Sequence, residues 1–471
     1  MRYLSTRGQA PSVSFFEAVL AGMAPDGGLY APESFPIVFA DTAERANVAS
    51  MSFSFTASQV LAAFGAGASA AHLASDAYLP NPPAPRAFPM HVAPLVQIGP
   101  GEWVLELFHG PSLSFKDIAM QLIGPLYDHA LAQQGRRLSV LCATSGDTGG
   151  AAVEALKGRE RVDLFVLTPK GRVSEVQRRF MTTSGAANVH ALEIDGDFDA
   201  CQAIVKALFA DAAFAARAQL SGVNSINWAR IAAQSVYYHV AANTLSAHGP
   251  VNFVVPTGNF GDAYSGWVAK QMGAPIGRIV LAVNANDILY RAVKTGRYER
   301  AARSQATLSP AMDIQVASNF ERILFEALGR DDAALRALYA GFAQSGGFEI
   351  PPAALARLRE DFDAVSVSDA DTEKAMQAVY GDVGYVACPH TAVALEALWT
   401  VDPPLDARPV VSLATAHPAK FPETVARITG VHPPLPAKCA DLFSRSESLA
   451  PLPADGEAVK AYIRARSRAW S

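Results

Sequence analysis

Val251-Asn-Phe-Val-Val-Pro-Thr-Gly-Asn-Phe-Gly-Asp262 changes character half-way along. Its first half is short, apolar and rich in valine, the make-up of a strand buried on both faces. Gly258 and Gly261 then break the run, and residues 262–272 continue with helical spacing. A strand that passes through a glycine turn into a helix is half of a βαβ unit, and the pattern recurs. Further strands are expected at about 103–107, 138–143, 163–168, 189–194, 278–283 and 409–414. Helices are expected at 116–134, 148–157, 173–183, 198–209 and 229–246, with more helix over 320–345 and 351–380 and a short one at 459–466. Such alternation specifies an α/β fold with mostly parallel sheets covered by helices.

Ligands of open α/β sheets bind beyond the carboxyl ends of the strands. Four of the expected strands end in turns carrying glycine, hydroxyl or charged residues. These are Ala143-Thr-Ser-Gly-Asp-Thr-Gly-Gly150, Pro169-Lys-Gly-Arg172, Thr257-Gly-Asn-Phe-Gly-Asp262 and Ala414-Thr-Ala-His-Pro-Ala-Lys-Phe421. All four are expected at one edge of the sheet. The Gly258–Asp262 turn suits a phosphate, because its glycines let backbone N–H groups face an anion at a helix start. An ordinary strand-to-helix turn would look the same. It lacks the Gly-Lys-Ser/Thr ending of a nucleotide-phosphate loop and the glycine spacing of a dinucleotide site. Ser145-Gly-Asp-Thr148 suits a carboxylate, or is simply a helix cap. Lys170 and Arg172 are phosphate ligands or solvated charges.

Glu106-Leu-Phe-His-Gly-Pro-Ser-Leu-Ser-Phe-Lys-Asp117 precedes the first long helix. Lys116 is there either a surface residue or a cofactor anchor. No HExxH pair is present, and no Gly-x-Ser-x-Gly elbow sits at a strand end, which argues against a zinc protease and a serine hydrolase.

The chain has 471 residues, 50% hydrophobic and 18% charged, enough for two or three domains of a globular enzyme. A net charge of -5 argues against a nucleic-acid surface or a polybasic membrane patch. Cys142, Cys201, Cys388 and Cys439 are widely spaced and form no CxxC pair, which suits reduced thiols in the cytoplasm. No signal peptide or membrane-length apolar run is read. Residues 1–78 read as mostly helical, with Ser14 as an N-cap and a turn at Asp26-Gly-Gly followed by an extended piece. The proline-rich residues 79–101 read as a linker.

Together, the lysine, the Ser-Gly-Asp-Thr turn and the glycine turn suit pyridoxal phosphate (PLP), whose aldehyde condenses with a lysine amine. The chain resembles the fold-type-II PLP enzymes (tryptophan synthase β-like), and most closely the threonine synthase family of the bacterial and fungal class. The resemblance extends from Tyr3-Leu-Ser-Thr-Arg-Gly8 and Ala24-Pro-Asp-Gly-Gly-Leu-Tyr30 through Phe108–Asp117, Thr144–Gly149, Asn224-Ser-Ile-Asn-Trp-Ala-Arg230 and Met312-Asp-Ile-Gln-Val to Ala414–Phe421. It implies conversion of O-phospho-L-homoserine and water to L-threonine and phosphate, a lyase reaction ending threonine biosynthesis. It implies that Lys116 is the Schiff-base lysine and main proton carrier. By the same resemblance Gly258, Asn259, Phe260, Gly261 and Asp262 hold the cofactor phosphate, and Thr415 meets the pyridine nitrogen. Ser145, Gly146, Asp147 and Thr148 take the substrate carboxylate. Candidates for the substrate phosphate are His109, Ser112, Ser114, Lys170 and Arg230. The expected organisation is an N-terminal domain over 1–92 and a catalytic region over 93–471, with a smaller mobile subdomain at roughly 122–245. A cytoplasmic monomer is expected, with no nucleic-acid partner, no membrane and no metal. The competing readings are a serine/threonine dehydratase or phospholyase on the same scaffold, and a non-catalytic binding protein.

Overall fold

The computed structural model describes residues 1–39, 48, 51–79, 87–144, 146–171, 173–406 and 409–470. Residues 80–86 of the proline-rich stretch expected to be a linker lie outside them. Among the described residues no helix is long and apolar enough to cross a membrane.

Two mostly parallel sheets carry the chain. The larger has the order Phe362–Ser366, Ile276–Val283, Val251–Pro256, Val410–Ala414, Glu102–Glu106, Leu95–Gly99. Its strands are parallel except Leu95–Gly99, which pairs antiparallel with its neighbour. Val251–Pro256 is buried at every position, as a central strand covered on both faces must be. The smaller sheet is parallel throughout, in the order Ala450–Pro453, Val189–Asp195, Val162–Pro169, Leu138–Ala143, Leu220–Ser221.

All seven expected strands form, within two residues at each end. Two expectations need correction. The four polar turns end strands of two sheets, not one: Leu138–Ala143 and Val162–Pro169 belong to the smaller, Val251–Pro256 and Val410–Ala414 to the larger. Residues 351–380 are not continuous helix. The helices Pro352–Asp361 and Asp369–Val383 flank the strand Phe362–Ser366 at the edge of the larger sheet.

The N-terminal residues are helical but start with a ribbon, Tyr3–Ser5 paired antiparallel with Tyr30–Pro32. Ser14 caps the helix Phe15–Ala21 in a capping box with Glu17. Polar ties join this segment to the catalytic core. The fully buried Arg322 donates to the carbonyls of Tyr30 (3.0 Å) and Ile226 (2.6 Å), Asn227 to that of Val19 (2.9 Å), and Thr6 to Glu321 (2.6 Å). At the other end of the chain, Val459 and Ile463 of the helix Gly456–Arg466 are buried in an apolar cluster with Leu192, Ile194 and Leu208 of the smaller sheet and its covering helix.

Candidate active site

Lys116 opens the helix Lys116–Gln134, and the turn before it is pinned to the end of the central strand Val410–Ala414. Phe115 N–H donates to the Thr415 carbonyl (2.9 Å), His417 N–H donates to the Leu113 carbonyl (3.1 Å), and Ser114 bridges Ala416. Asp117 braces the turn internally. Its carboxylate accepts the Ser112 hydroxyl (2.7 Å) and the N–H groups of Ser112 (2.9 Å) and Ser114 (3.3 Å). Burial lifts the Asp117 pKa to about 6 against those bonds and the nearby Lys420. Gly110 permits this packing, because a Cβ there would lie 2.2 Å from the Asp117 Cβ.

The Lys116 side chain is 14% exposed, with its amine 3.9 Å from Asp147 Oδ2. Burial pulls its pKa down to about 8. Asp147 opposes the shift, while the cations Arg230 and Lys420 reinforce it. The expected neighbour Phe115 presents its ring 5.6 Å from the amine.

Asp147 starts the helix Asp147–Leu156, whose entry is fixed by Thr144 Oγ1 accepting from the N–H groups of Gly146 (3.0 Å) and Gly149 (3.1 Å). Gly146 has φ 153°, and a Cβ there would lie 2.5 Å from the Gln177 amide, so only glycine suits the position. The Asp147 side chain is fully engaged: Oδ1 lies 2.5 Å from Lys420 Nζ and accepts from Gln177 Nε2 at 2.7 Å. Burial alone would raise this carboxyl. Lys420 and Lys116 outweigh burial and hold it far below the usual carboxylate range. What this turn offers a ligand is therefore backbone and the half-buried Thr148, rather than the Asp147 carboxylate. Ser145 lies outside the described residues, as does Arg172.

On the larger sheet, the Gly258 turn leads into the helix Gly261–Gln271, whose first amides have no intrahelical carbonyl to meet. Phe260 is left-handed (φ 63°), and its N–H donates to Thr257 Oγ1 at 3.2 Å. A Cβ on Gly258 would fall 2.8 Å from Ile314. Asn259 is held by its carbonyl, which accepts from Asn319 N–H at 3.1 Å. The Asp262 side chain does not join the amides. It accepts from Tyr237 (2.5 Å) and Tyr238 (2.9 Å), and burial raises it to about 6 despite those bonds and Arg230. Thr415 is buried, and its hydroxyl has no hydrogen-bond partner among the described residues.

The five candidates for a second anion differ sharply. Arg230, in the helix Trp228–Leu245, is buried; Nη1 donates to the Val223 carbonyl at 3.4 Å, Nε has no partner, and no described carboxylate pairs with it. Burial lowers it to about 10, still cationic at neutral pH. Ser112 is occupied by Asp117, and Ser114 Oγ accepts from Lys116 N–H at 3.4 Å. His109 Nε2 lies 2.7 Å from Glu106, which also accepts from Tyr385 at 3.1 Å. Lys170 is 61% exposed and 3.7 Å from Asp195 at the surface. The structure thus gathers Lys116, Asp147 and Arg230 and leaves Lys170 outside.

Sequence reasoning missed two residues of this centre. Lys420, 1% exposed, reaches Asp147 and also donates to the Ser112 carbonyl at 3.0 Å. His390 accepts from Ala311 N–H at 3.2 Å, and its buried Nδ1 has no partner. Burial lowers its pKa to about 4, with Asp147 opposing and Lys116 and Lys420 adding to the shift. Lys420 stands inside one of the four strand-end turns, but its partners lie roughly 300 residues away, beyond the reach of local patterns.

Residues 89–416 match the family described as pyridoxal-phosphate dependent enzyme, 2–75 the threonine synthase N terminus and 391–463 the threonine synthase C-terminal region. A threonine synthase of Pseudomonas aeruginosa is 46% identical over 465 residues, covering 98% of either chain. The crystal structure of PLP-bound threonine synthase from Brucella melitensis superposes with a TM-score of 0.93 at 47% identity, over 99% of this chain and 100% of that one. Yeast threonine synthase gives 0.90 at 36% identity, over 98% of both chains.

Proposed function

The chain belongs to the threonine synthase family, and from that premise we propose how its own residues divide the conversion of O-phospho-L-homoserine and water into L-threonine and phosphate. It is a PLP-dependent enzyme with a small-molecule substrate. When bound, PLP supplies an aldehyde for a lysine amine and a ring that draws electrons from the carbons being deprotonated. The donor set suits that group: a largely enclosed amine, a helix start with unpaired amides, and the hydroxyl of the buried Thr415, which has no hydrogen-bond partner among the described residues.

Lys116 anchors the cofactor, takes the Cα proton and carries protons in the later steps. The observation that carries this assignment is its position: a largely enclosed amine, 3.9 Å from Asp147, on a turn bonded to the Thr415 segment. Burial lowers its pKa to about 8, close enough to neutrality for a proton to be both taken and returned. The amides of the Gly258–Asp262 turn take the cofactor phosphate, with Asp262 acting as a brace through Tyr237 and Tyr238. Thr415 meets the ring nitrogen. A hydroxyl there does not force a positive charge onto the ring, so the surrounding side chains share the work of stabilising negative charge. The Ser145–Thr148 turn takes the substrate carboxylate through its amides and hydroxyls. Arg230 is the principal partner for the substrate phosphate, because a buried guanidinium that makes no ion pair with a described carboxylate, and whose Nε has no partner, is matched by a dianion. His109 and Ser114 contribute at the edge of that pocket. Ser112 braces the lysine turn instead, and Lys170 has its partner at the surface.

The moving unit is the segment at roughly 122–245 together with the C-terminal strand and helix that pack on it, and the N-terminal unit is residues 1–92. Closure excludes water before phosphate leaves. The enzyme acts in the cytoplasm, which the free cysteines support, and without a nucleic-acid partner, which the net charge of -5 supports; the family resemblance implies a monomer.

The test is incubation of the full chain with PLP and O-phospho-L-homoserine, with threonine and phosphate measured in parallel. Equal release of both is expected. A keto acid and ammonia in place of threonine would identify a dehydratase, and no visible Schiff-base band would remove the cofactor assignment.

A further inference from the structure

Asp147 is shared by the side-chain nitrogens of two lysines, one at each of its oxygens. Lys420 Nζ sits 2.5 Å from Oδ1, and Lys116 Nζ sits 3.9 Å from Oδ2. The shorter contact belongs to the more buried lysine, at 1% against 14% exposure. Lys420 is held there by a second acceptor, the Ser112 carbonyl at 3.0 Å, which belongs to the turn that ends in Lys116. It therefore ties together the Lys116 turn, the Asp147 helix start and the strand-end segment Pro418–Lys420.

We infer that Lys420 is a positioning residue for the reaction: by occupying Asp147 it keeps that carboxylate from closing on Lys116 as a full ion pair, so that Lys116 meets an aldehyde as a free amine. The physical reasoning is competitive. A buried carboxylate needs a cation, and an ion pair stabilises the protonated form of the lysine that supplies it. Protonated lysine cannot attack a carbonyl. With Lys420 satisfying Asp147, the demand on Lys116 falls, and two like charges facing one carboxylate oppose protonation of the second. The other groups around the Lys116 amine are Arg230 from the helix Trp228–Leu245, Cys142 from the strand Leu138–Ala143 and His390 from the helix Pro389–Thr400. Burial keeps Cys142 a thiol and His390 neutral at neutral pH, so Lys420 and Arg230 are the cations that act on Lys116. Arg230 makes no ion pair with Asp147 among the described residues, which leaves Lys420 as the residue whose removal frees the carboxylate.

This inference rests on Lys116 being the cofactor lysine. The experiment frees the full-length protein of PLP, mixes it with PLP, and follows the rate of Schiff-base absorbance from neutral to alkaline pH. In Lys420→Gln the pH midpoint of capture is expected to rise, and capture at neutral pH to slow by about tenfold for each unit of that rise. Lys420→Arg should retain the parent midpoint. Asp147→Asn/Lys420→Gln, which lacks the carboxylate, should show no rise. If the glutamine variant does not fold, Lys420→Met provides a second neutral side chain. An unchanged midpoint in the folded neutral variant, or a rise that persists without Asp147, would overturn the inference. Absorbance that survives in Lys116→Ala would instead overturn the cofactor assignment, so the two failures are distinct.

Discussion

At the scale of single residues, burial sets the chemistry and neighbours decide which way each group departs from its ordinary behaviour. Lys116→Ala is expected to abolish the visible Schiff-base band and lower turnover by roughly 10²–10⁴-fold, the usual contribution of a positioned acid–base group. Arg230→Ala should raise KM for O-phospho-L-homoserine by roughly 10–100-fold, as expected for losing a charged hydrogen bond of about 1.5–3 kcal/mol. Unchanged KM would remove Arg230 from the phosphate pocket. Asp262 gives a pH test of stability. Its folded pKa, about 6, lies above the value of about 4 for an unfolded aspartate, so the folded chain binds the extra proton between them. Its stabilising contribution is full below about 4 and is lost as pH rises through about 6. Thermal melts of Asp262→Asn across that window should therefore decline less with pH than those of the parent. In the sequence, the stretch around Lys116 leaves it either a surface residue or a cofactor anchor, and only the other strand-end turns and the family resemblance point to the second. The commitment of Ser112 to Asp117, and of Asp147 to Lys420, exists only once separate turns meet.

Among the elements, the turns that end strands depend on glycine at points of close approach. Gly110→Ala would drive a Cβ to 2.2 Å from the Asp117 Cβ and displace the Lys116 turn. A loss of about 1–3 kcal/mol is expected, together with weaker PLP retention, measured by denaturant unfolding and by absorbance after dialysis. The central strands were readable because a parallel strand buried on both faces is a nearly continuous apolar run, broken in Val251–Pro256 only by Asn252. Phe362–Ser366 was not, because Phe-Asp-Ala-Val-Ser is short, contains a carboxylate and stands between two helices. At this edge Asp363 pairs with Lys294 at 2.6 Å. That there are two sheets was not legible either, since strand order depends on contacts between distant segments and the expected strands look alike in either sheet.

For the whole molecule, the chain ends complete units that lie elsewhere in sequence. Ile463 is fully buried against the smaller sheet's cluster, so Ile463→Ala should cost about 2–5 kcal/mol in a denaturant melt while leaving KM for substrate unchanged at temperatures where the protein is folded. The alternation of strands and helices made the α/β class readable from about residue 100 onward. The strand Tyr30–Pro32 is the extended piece expected after Asp26-Gly-Gly, whereas its partner Tyr3–Ser5 escaped the reading, because a three-residue strand carries too few positions to show a period.

The strand Val410–Ala414 lies in the middle of the larger sheet, hydrogen-bonded to Val251–Pro256 on one side and to Glu102–Glu106 on the other. A ribosome makes it after every other strand of that sheet. Until it emerges, the growing polypeptide holds two inward-facing edges open with nothing between them. Unpaired edges recruit strands from other chains. Premature termination before residue 410 should therefore yield insoluble product rather than a weaker enzyme, and the last stretch of synthesis is when a nascent-chain chaperone would matter most.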